Sequence, residues 1–403
     1  MTEEVYIVSI GRTPVGKAHK GKLSKTRPDD LLAHVIRGVL AQVPGIQPKK
    51  ISDVIVGCAM PEAEQGLNIA RISALIAGLP DSVPGMTINR YCSSGLQSMA
   101  IAADQIRSGG ADVILAGGVE SMSLIPFGGN KLTANPIWYE NNQHVAIGYG
   151  MGITAEIVAE KFNISREDQD LFALQSHQKA IFAQENNLFN SEIFPIKIIS
   201  RNLEHRNLEK DLKIKEEVFL LDQDEGPRVD TSLEQLAKLK PVFKKLGSVT
   251  AGNSSQVSDG AAMAVLVSGR YLKQHPEIKP LAKFLSYAVQ GVPPEIMGIG
   301  PVAAIPMALE KANLSLDQID WIELNEAFAA QAVAVIRSLK LDPNKVNPYG
   351  GAIALGHPLG ATGCIRAATL LSGMSAKKLK YGMVTMCIGT GMGACGIFER
   401  VSF

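Results

Sequence analysis

Apolar and polar positions along the chain fall into short apolar runs separated by stretches with helical spacing. Residues 5–9 and 53–58 read as strands, the second apolar throughout, as in strands buried on both faces of a sheet. Residues 29–41 have the period of an amphipathic helix, with the acidic pair Asp29-Asp30 as its expected cap. A helix over 68–78, an apolar run over 86–89 and a strand over 111–117 complete an alternation that predicts an α/β fold. From about Ser121 to Thr250 the pattern changes, with many charged residues, several Asn and Gln, and few β-branched runs. Helices are expected there at 152–162 and 167–187, the latter opening on Ser165-Arg166-Glu167-Asp168, with acidic residues in the first turn. The remainder of this block, including 201–217, mixes both charges and reads as solvated surface, so the block is predicted to be an inserted, mostly helical subdomain lying over a site. The α/β pattern returns at 261–268 and continues to the end.

A weak internal repeat runs beneath this pattern. Ile51-Ser52-Asp53-Val54-Ile55 is echoed by Ile319-Asp320-Trp321-Ile322-Glu323. Each is followed by a turn of small residues carrying a reactive side chain, Cys92 in the first case and His357 in the second, and then by a helix and a glycine-ended strand. Two equivalent halves would bring the two turns together on one face of two packed sheets.

Composition narrows the classes. The chain is 46% hydrophobic and 20% charged, with a formal net charge of +1, which lacks the basic surplus of a nucleic-acid binder. No apolar run reaches the roughly 20 residues needed to span a bilayer. Five scattered cysteines without a CxxC pair favour neither a disulfide framework nor a zinc site. Met1-Thr2-Glu3-Glu4 leads straight into the first strand, so a cytoplasmic protein is expected.

Candidate chemistry gathers at three turns. In Asn89-Arg90-Tyr91-Cys92-Ser93-Ser94-Gly95, the cysteine stands at the entry to a helix, where free N–H groups and the helix dipole favour a thiolate nucleophile. The alternative is a buried structural cysteine. In GGAIALGHPLGATG at 350–363, glycines bracket His357 and admit close approach, while Pro358 suits a first helical turn; a core histidine bonding a neighbour is the alternative. Cys387, before the turn Gly389-Thr390-Gly391, is either a tuned acid/base or a small strand-end residue. That glycine-rich turn lacks the lysine of a phosphate-binding loop. Asn325, after the apolar run 321–324, holds a water or substrate oxygen, or caps a helix.

Taken in order, CSSGLQ at 92–97, GGVESMS at 117–123, GMGITAE at 150–156, SVTAGNSSQVSDGAA at 248–262, NEAFAAQA at 325–332, the His357 stretch and CIGTGMGACGIFE at 387–399 resemble the thiolase family across essentially the whole chain. The resemblance implies two similar α/β/α/β/α halves in five layers, 1–120 plus 251–270 and 271–403, with a loop domain at 121–250 covering coenzyme A. It implies that Cys92 carries the acyl group, that His357 activates it and that Cys387 is the second acid/base. Asn325, through a water, and His357 would form one oxyanion hole, and the N–H groups of Cys92 and Gly389 the other. Ser255, Arg228 and Met151 match positions that approach coenzyme A; Gly150 stands where some biosynthetic members have histidine.

The implied reaction is thiolysis of 3-ketoacyl-CoA in fatty acid β-oxidation, with acyl-CoA and coenzyme A as substrates and neither a metal nor a bound cofactor. Asn89-Arg90-Tyr91, the 387–392 turn and Gly150 look like the degradative members. An acetoacetyl-CoA-forming biosynthetic enzyme is the alternative within the family. A decarboxylating ketosynthase would pair its cysteine with two histidines, against which the second cysteine argues; a non-catalytic acyl-CoA binder would be expected to lack one of Cys92, His357 and Cys387. A homodimer or homotetramer is expected, with a hydratase/dehydrogenase subunit as a further partner.

Overall fold

The computed structural model of the protein describes residues 3–140, 145–204 and 213–401. Its strands are β1 (Val5–Arg12), β2 (Gly16–Lys17), β3 (Asp53–Gly57), β4 (Met86–Ile88), β5 (Val113–Ser121), β6 (Ile196–Glu204), β7 (Lys213–Leu221), β8 (Ser258–Ser268), β9 (Ala282–Gly291), β10 (Trp321–Leu324), β11 (Tyr381–Ile388) and β12 (Met392–Arg400).

The repeat in the sequence is a repeat in topology. In the first half the order is β1-β8-β5-β3-β4, with β5 parallel to β3 and antiparallel to β8. In the second it is β9-β12-β11-β10, with β11 parallel to β10 and antiparallel to β12. A parallel bridge from Ile322 to Val346 stands where β4 pairs with β3. The halves are joined edge to edge, because β1 pairs antiparallel with β9 at Tyr6–Lys283 and Ile7–Ala282. What the sequence divides into two sheets is one continuous path of strands, folded so that its two wings face each other.

The helices Ser94–Arg107 and Leu359–Lys377 fill the space between the wings, packing on each other and on strands of both halves. Both are buried nearly all round, which is why their residues are mostly small or aliphatic rather than amphipathic. Outside the wings lie Pro28–Gln42 and Ile69–Ile76 on one side and Gly300–Ala312 and Ala329–Leu339 on the other, giving five layers. The two central helices cross close to their N-termini. A Cβ on Gly95 would lie 2.8 Å from the carbonyl oxygen of Gly360, so only glycine permits that approach. The crossing brings the turn before each helix to one place.

Two local expectations are corrected. Asp29 and Asp30 lie inside the first helical turn, and the cap position is Arg27, whose side chain makes no capping bond. The segment 121–250 does hold the helices Met151–Lys161 and Arg166–Glu185, the latter opened by a Ser165–Asp168 capping box, but it also contains the hairpin β6–β7. Part of 201–217 is therefore strand, while 205–212 lie outside the described residues. Ile196, Ile198 and Leu221 point into the core of the first half, and Ile199, Val218 and Leu220 point outward. Because apolar residues stand on both faces, the two-residue period is hidden in the sequence.

Candidate active site

The nucleophile turn is shaped by its own side chains. Asn89 Oδ1 accepts the Tyr91 N–H (2.8 Å), Ser94 Oγ accepts the Arg90 N–H (2.8 Å), and the Ser94 hydroxyl donates to the Tyr91 carbonyl (2.7 Å). These bonds hold Tyr91 at φ 44°, a left-handed conformation that costs a non-glycine residue about 1–3 kcal/mol. The chain then makes a 3₁₀ turn over Tyr91–Ser93 before the helix, and Cys92 stands on that turn.

Of the five cysteines, Cys92 alone is not fully buried. It packs against the apolar cluster of Ala18, Ala59, Met122 and Leu359. Burial pushes its thiol up to about 12; the Gly389 N–H and its own N–H, both directed at the sulfur, pull the other way. The helix start therefore does not hold a ready thiolate, as the sequence predicts. Desolvation outweighs the dipole, and the resting nucleophile is a thiol.

His357 lies in the equivalent turn of the second half. Its main-chain N–H reaches the Gln256 carbonyl (3.1 Å) and Ser258 Oγ (3.2 Å). Thr362 donates its hydroxyl proton to the Pro358 carbonyl (3.0 Å), which leaves its oxygen to accept from His357 Nδ1 at 2.6 Å. Asn325 Nδ2 lies 3.3 Å from Nε2, as a donor. Both contacts define the same tautomer, with the proton on Nδ1 and the lone pair on Nε2. Burial, aided by Arg366, lowers the imidazole pKa to about 3. Cysteine and histidine are thus both neutral at rest.

Asn325 does not cap a helix: the helix Ala329–Leu339 begins after Phe328, and Asn325 is fixed instead by its N–H to the Thr385 carbonyl (2.9 Å). Its Oδ1 is buried without a protein partner. Cys387 is the next-to-last residue of β11, fully buried, with Sγ 3.5 Å from Gln331 Oε1; burial and then the neighbouring Cys92 raise its thiol. A Cβ on Gly389 would sit 3.7 Å from the Tyr91 ring and 3.8 Å from Met151 Sδ, so Met151 borders the same space. Leu359, two residues beyond His357, packs with Cys92. The structure therefore gathers Cys92, His357, Cys387, Asn325, Gly389 and Met151.

Ser255 lies beside this group, its N–H bonded to the Ala327 carbonyl (2.9 Å). Arg228 is exposed and held through its N–H on His177 Nδ1 (3.2 Å). Gly150 precedes the helix Met151–Lys161 with open space where a Cβ would stand. Thr362 and Gln331 escape a reading of the sequence, although both lie within the motif stretches around His357 and Asn325. The signal was their place beside a reactive residue, but only the fold shows which atoms they face.

The Thiolase, N-terminal domain family model matches residues 5–270, and the Thiolase, C-terminal domain model matches 278–400. A duplicated five-layer fold with two cysteines and a histidine at the facing turns defines an acyltransferase. The chain belongs to the thiolase family. It is 50% identical to the 3-ketoacyl-CoA thiolase of Bacillus subtilis over 98% of this chain and 99% of that one. The human mitochondrial 3-ketoacyl-CoA thiolase superimposes with a TM-score of 0.86 at 40% identity, covering 99% of both chains. The Bacillus anthracis acetyl-CoA acetyltransferase gives the same TM-score at 39% identity, again over 99% of each.

Proposed function

We propose that the protein cleaves 3-ketoacyl-CoA with coenzyme A, releasing acetyl-CoA and an acyl-CoA shortened by two carbons, in fatty acid β-oxidation. The observation that carries this reading is the packing of the Cys92 turn against the helix that follows His357, with Gly389, two residues beyond Cys387, directing its N–H at the Cys92 sulfur.

The steps start from the neutral Cys92 thiol and the neutral His357 imidazole. The Cys92 proton passes to His357 Nε2 as the sulfur adds to the 3-keto carbon, and the alkoxide is met by the N–H groups of Cys92 and Gly389. Collapse breaks the bond between carbons 2 and 3. The enolate of acetyl-CoA leaves, with its oxygen at His357 and at a water for which the unpartnered Asn325 Oδ1 is a suitable acceptor. Its carbon takes the proton of Cys387. Incoming coenzyme A returns a proton to Cys387 and attacks the thioester, and Cys92 leaves and recovers its proton from His357. No proton or electron is left over.

Coenzyme A is assigned to the cleft beneath 121–250, near Ser255 and Met151, with Arg228 at its outer end. The chain is divided as 1–120 plus 251–270, 121–250 and 271–403. A cytoplasmic homodimer or homotetramer, joined by a hydratase/dehydrogenase subunit, is the assembly this reading favours.

The test is substrate length. A buried methylene contributes roughly 0.8 kcal/mol, so kcat/KM for thiolysis should rise about fourfold per added methylene from the C4 substrate until the apolar surface is filled. Condensation of two acetyl-CoA should be slow by comparison. A strict C4 preference, with nothing measurable at C8, would make the protein an acetoacetyl-CoA thiolase instead.

The histidine tautomer gives a second expectation. Thr362→Val removes the acceptor for the Nδ1 proton and frees it to move to Nε2, where it blocks proton uptake. Turnover should fall by about one to two orders of magnitude, with Thr362→Ser close to wild type. Nitrogen NMR of the labelled imidazole reads the tautomer directly; an unchanged spectrum in Thr362→Val would remove the assignment.

A further inference from the structure

The nucleophile and the base come from different halves, so something must hold their turns in register. Glu120, at the end of β5, is 1% exposed. Its Oε2 accepts the N–H of Gly360 (2.8 Å), three residues beyond His357, and the N–H of Ala59 (2.8 Å). Its Oε1 accepts the Met60 N–H (3.2 Å) and Gln65 Nε2, with the Cys58 thiol at 3.8 Å. The Ala59 carbonyl in turn accepts Asn89 Nδ2 (3.0 Å), and Asn89 Oδ1 holds the Tyr91 N–H that shapes the Cys92 turn. With donors on all sides, a carboxylic proton would have no acceptor, so the group is a carboxylate. Its charge also acts on Cys92, adding to the rise of that thiol.

We propose that Glu120 is the positioning residue that joins the Cys92 turn to the His357 turn across the two halves. The joint is one carboxylate with a bond toward each side. Glutamine in its place can accept at one oxygen only, and its amide would confront the donors that the other oxygen now serves. Gly360 and Ala59 share Oε2, so a glutamine that turns its oxygen there sets its amide against the Met60 N–H and Gln65 Nε2, and one turned the other way loses both Gly360 and Ala59. In either case the side chain is displaced and the joint loosens. Because the negative charge goes too, the Cys92 thiolate becomes easier to form. The variant should therefore react faster as a thiol and slower as an enzyme, a combination that loss of a catalytic residue does not produce; an unchanged thermal transition separates it from partial unfolding, which would also hydrate the sulfur.

The inference rests on the thiolysis reading for its turnover arm, while the alkylation arm stands without it. The full-length Glu120→Gln protein is compared with wild type at pH 8 by iodoacetamide labelling of Cys92, read by peptide mass, and by steady-state thiolysis of a 3-ketoacyl-CoA. Loss of the charge moves the Cys92 thiol downward, and because intrinsic nucleophilicity falls less than the thiolate fraction rises, labelling should accelerate, by about threefold for each tenfold gain in thiolate. Displacing the base from the nucleophile should lower kcat by about ten- to a hundredfold, with the KM for coenzyme A unchanged. Faster labelling with wild-type kcat, or labelling and kcat lowered together, would overturn the proposal. If Glu120→Gln does not accumulate as folded protein, Glu120→Asp decides: it keeps the charge but is one carbon too short to reach Gly360 and Ala59 together, and an unchanged kcat would overturn the proposal as well. A wild-type protein that labels at Cys92 but shows no thiolysis defeats the assigned reaction, and the labelling comparison still tests the joint.

Discussion

Cys92→Ala should abolish the acyl-enzyme and lower thiolysis by about four orders of magnitude or more, the scale on which removal of a covalent nucleophile acts. The other four cysteines cannot substitute, since all are buried whereas Cys92 is partly exposed. Their sulfurs are also committed elsewhere: Cys395 faces Met383, Cys364 the Ala116 carbonyl and Cys58 Glu120. The measurement is intact mass after incubation with acyl-CoA in the absence of free coenzyme A. Wild type should gain one acyl group and Cys92→Ala none. An adduct of the same mass on Cys92→Ala would place the nucleophile elsewhere. The neutral resting pair adds a sign to the expectation. With the thiol at about 12 and the imidazole at about 3, neither group titrates near neutrality, so labelling of Cys92 by iodoacetamide should rise steadily with pH from 6 to 9 rather than level off.

Cys387→Ala should separate the two halves of the reaction. Acyl transfer from acyl-CoA to Cys92 relies on His357 and the N–H groups of Cys92 and Gly389, and coenzyme A can leave as a thiolate, so loss of the Cys387 proton slows this step without preventing it. Carbon–carbon cleavage needs a proton delivered to the leaving enolate, and general acid catalysis of that kind contributes about 10²- to 10⁴-fold. Overall thiolysis should fall by that amount, together with deuterium exchange at the α-carbon of acetyl-CoA, while the acyl-enzyme still forms at near wild-type yield. Cys387 is suited to the role because its burial keeps the thiol protonated until an enolate is present to take the proton. Equal loss of exchange and acyl-enzyme would make its role structural.

Much of this site is legible in the chain alone, and for a physical reason. A strand end, a tight turn and a helix start are local events, set by apolar spacing, small residues and the special backbone needs of a turn. Cys92 and His357 therefore mark their own turns, and the echo of 51–55 in 319–323 forecasts that the two are equivalent. The hairpin β6–β7 was not legible in this way, because its outward positions include Ile199, Val218 and Leu220, which erase the apolar–polar alternation, while the mixed charges of 201–217 read as solvated surface.

The charge state of the nucleophile was not legible either. A helix start favours a thiolate, and sequence shows the helix start; it does not show the Ala18, Met122 and Leu359 side chains that keep water from the sulfur and reverse the balance. Asn325 reads as a possible cap until the fold starts the next helix at Ala329 and turns its amide toward His357. Glu120 and Gly360 are 240 residues apart, and nothing in either neighbourhood announces the other. The sequence by itself determined the elements, the duplication and the identity of the reactive side chains, because these depend on neighbours along the chain. Desolvation, the histidine tautomer and the joint between the halves were decided only by the tertiary structure, because each depends on groups that meet through space when the two central helices cross.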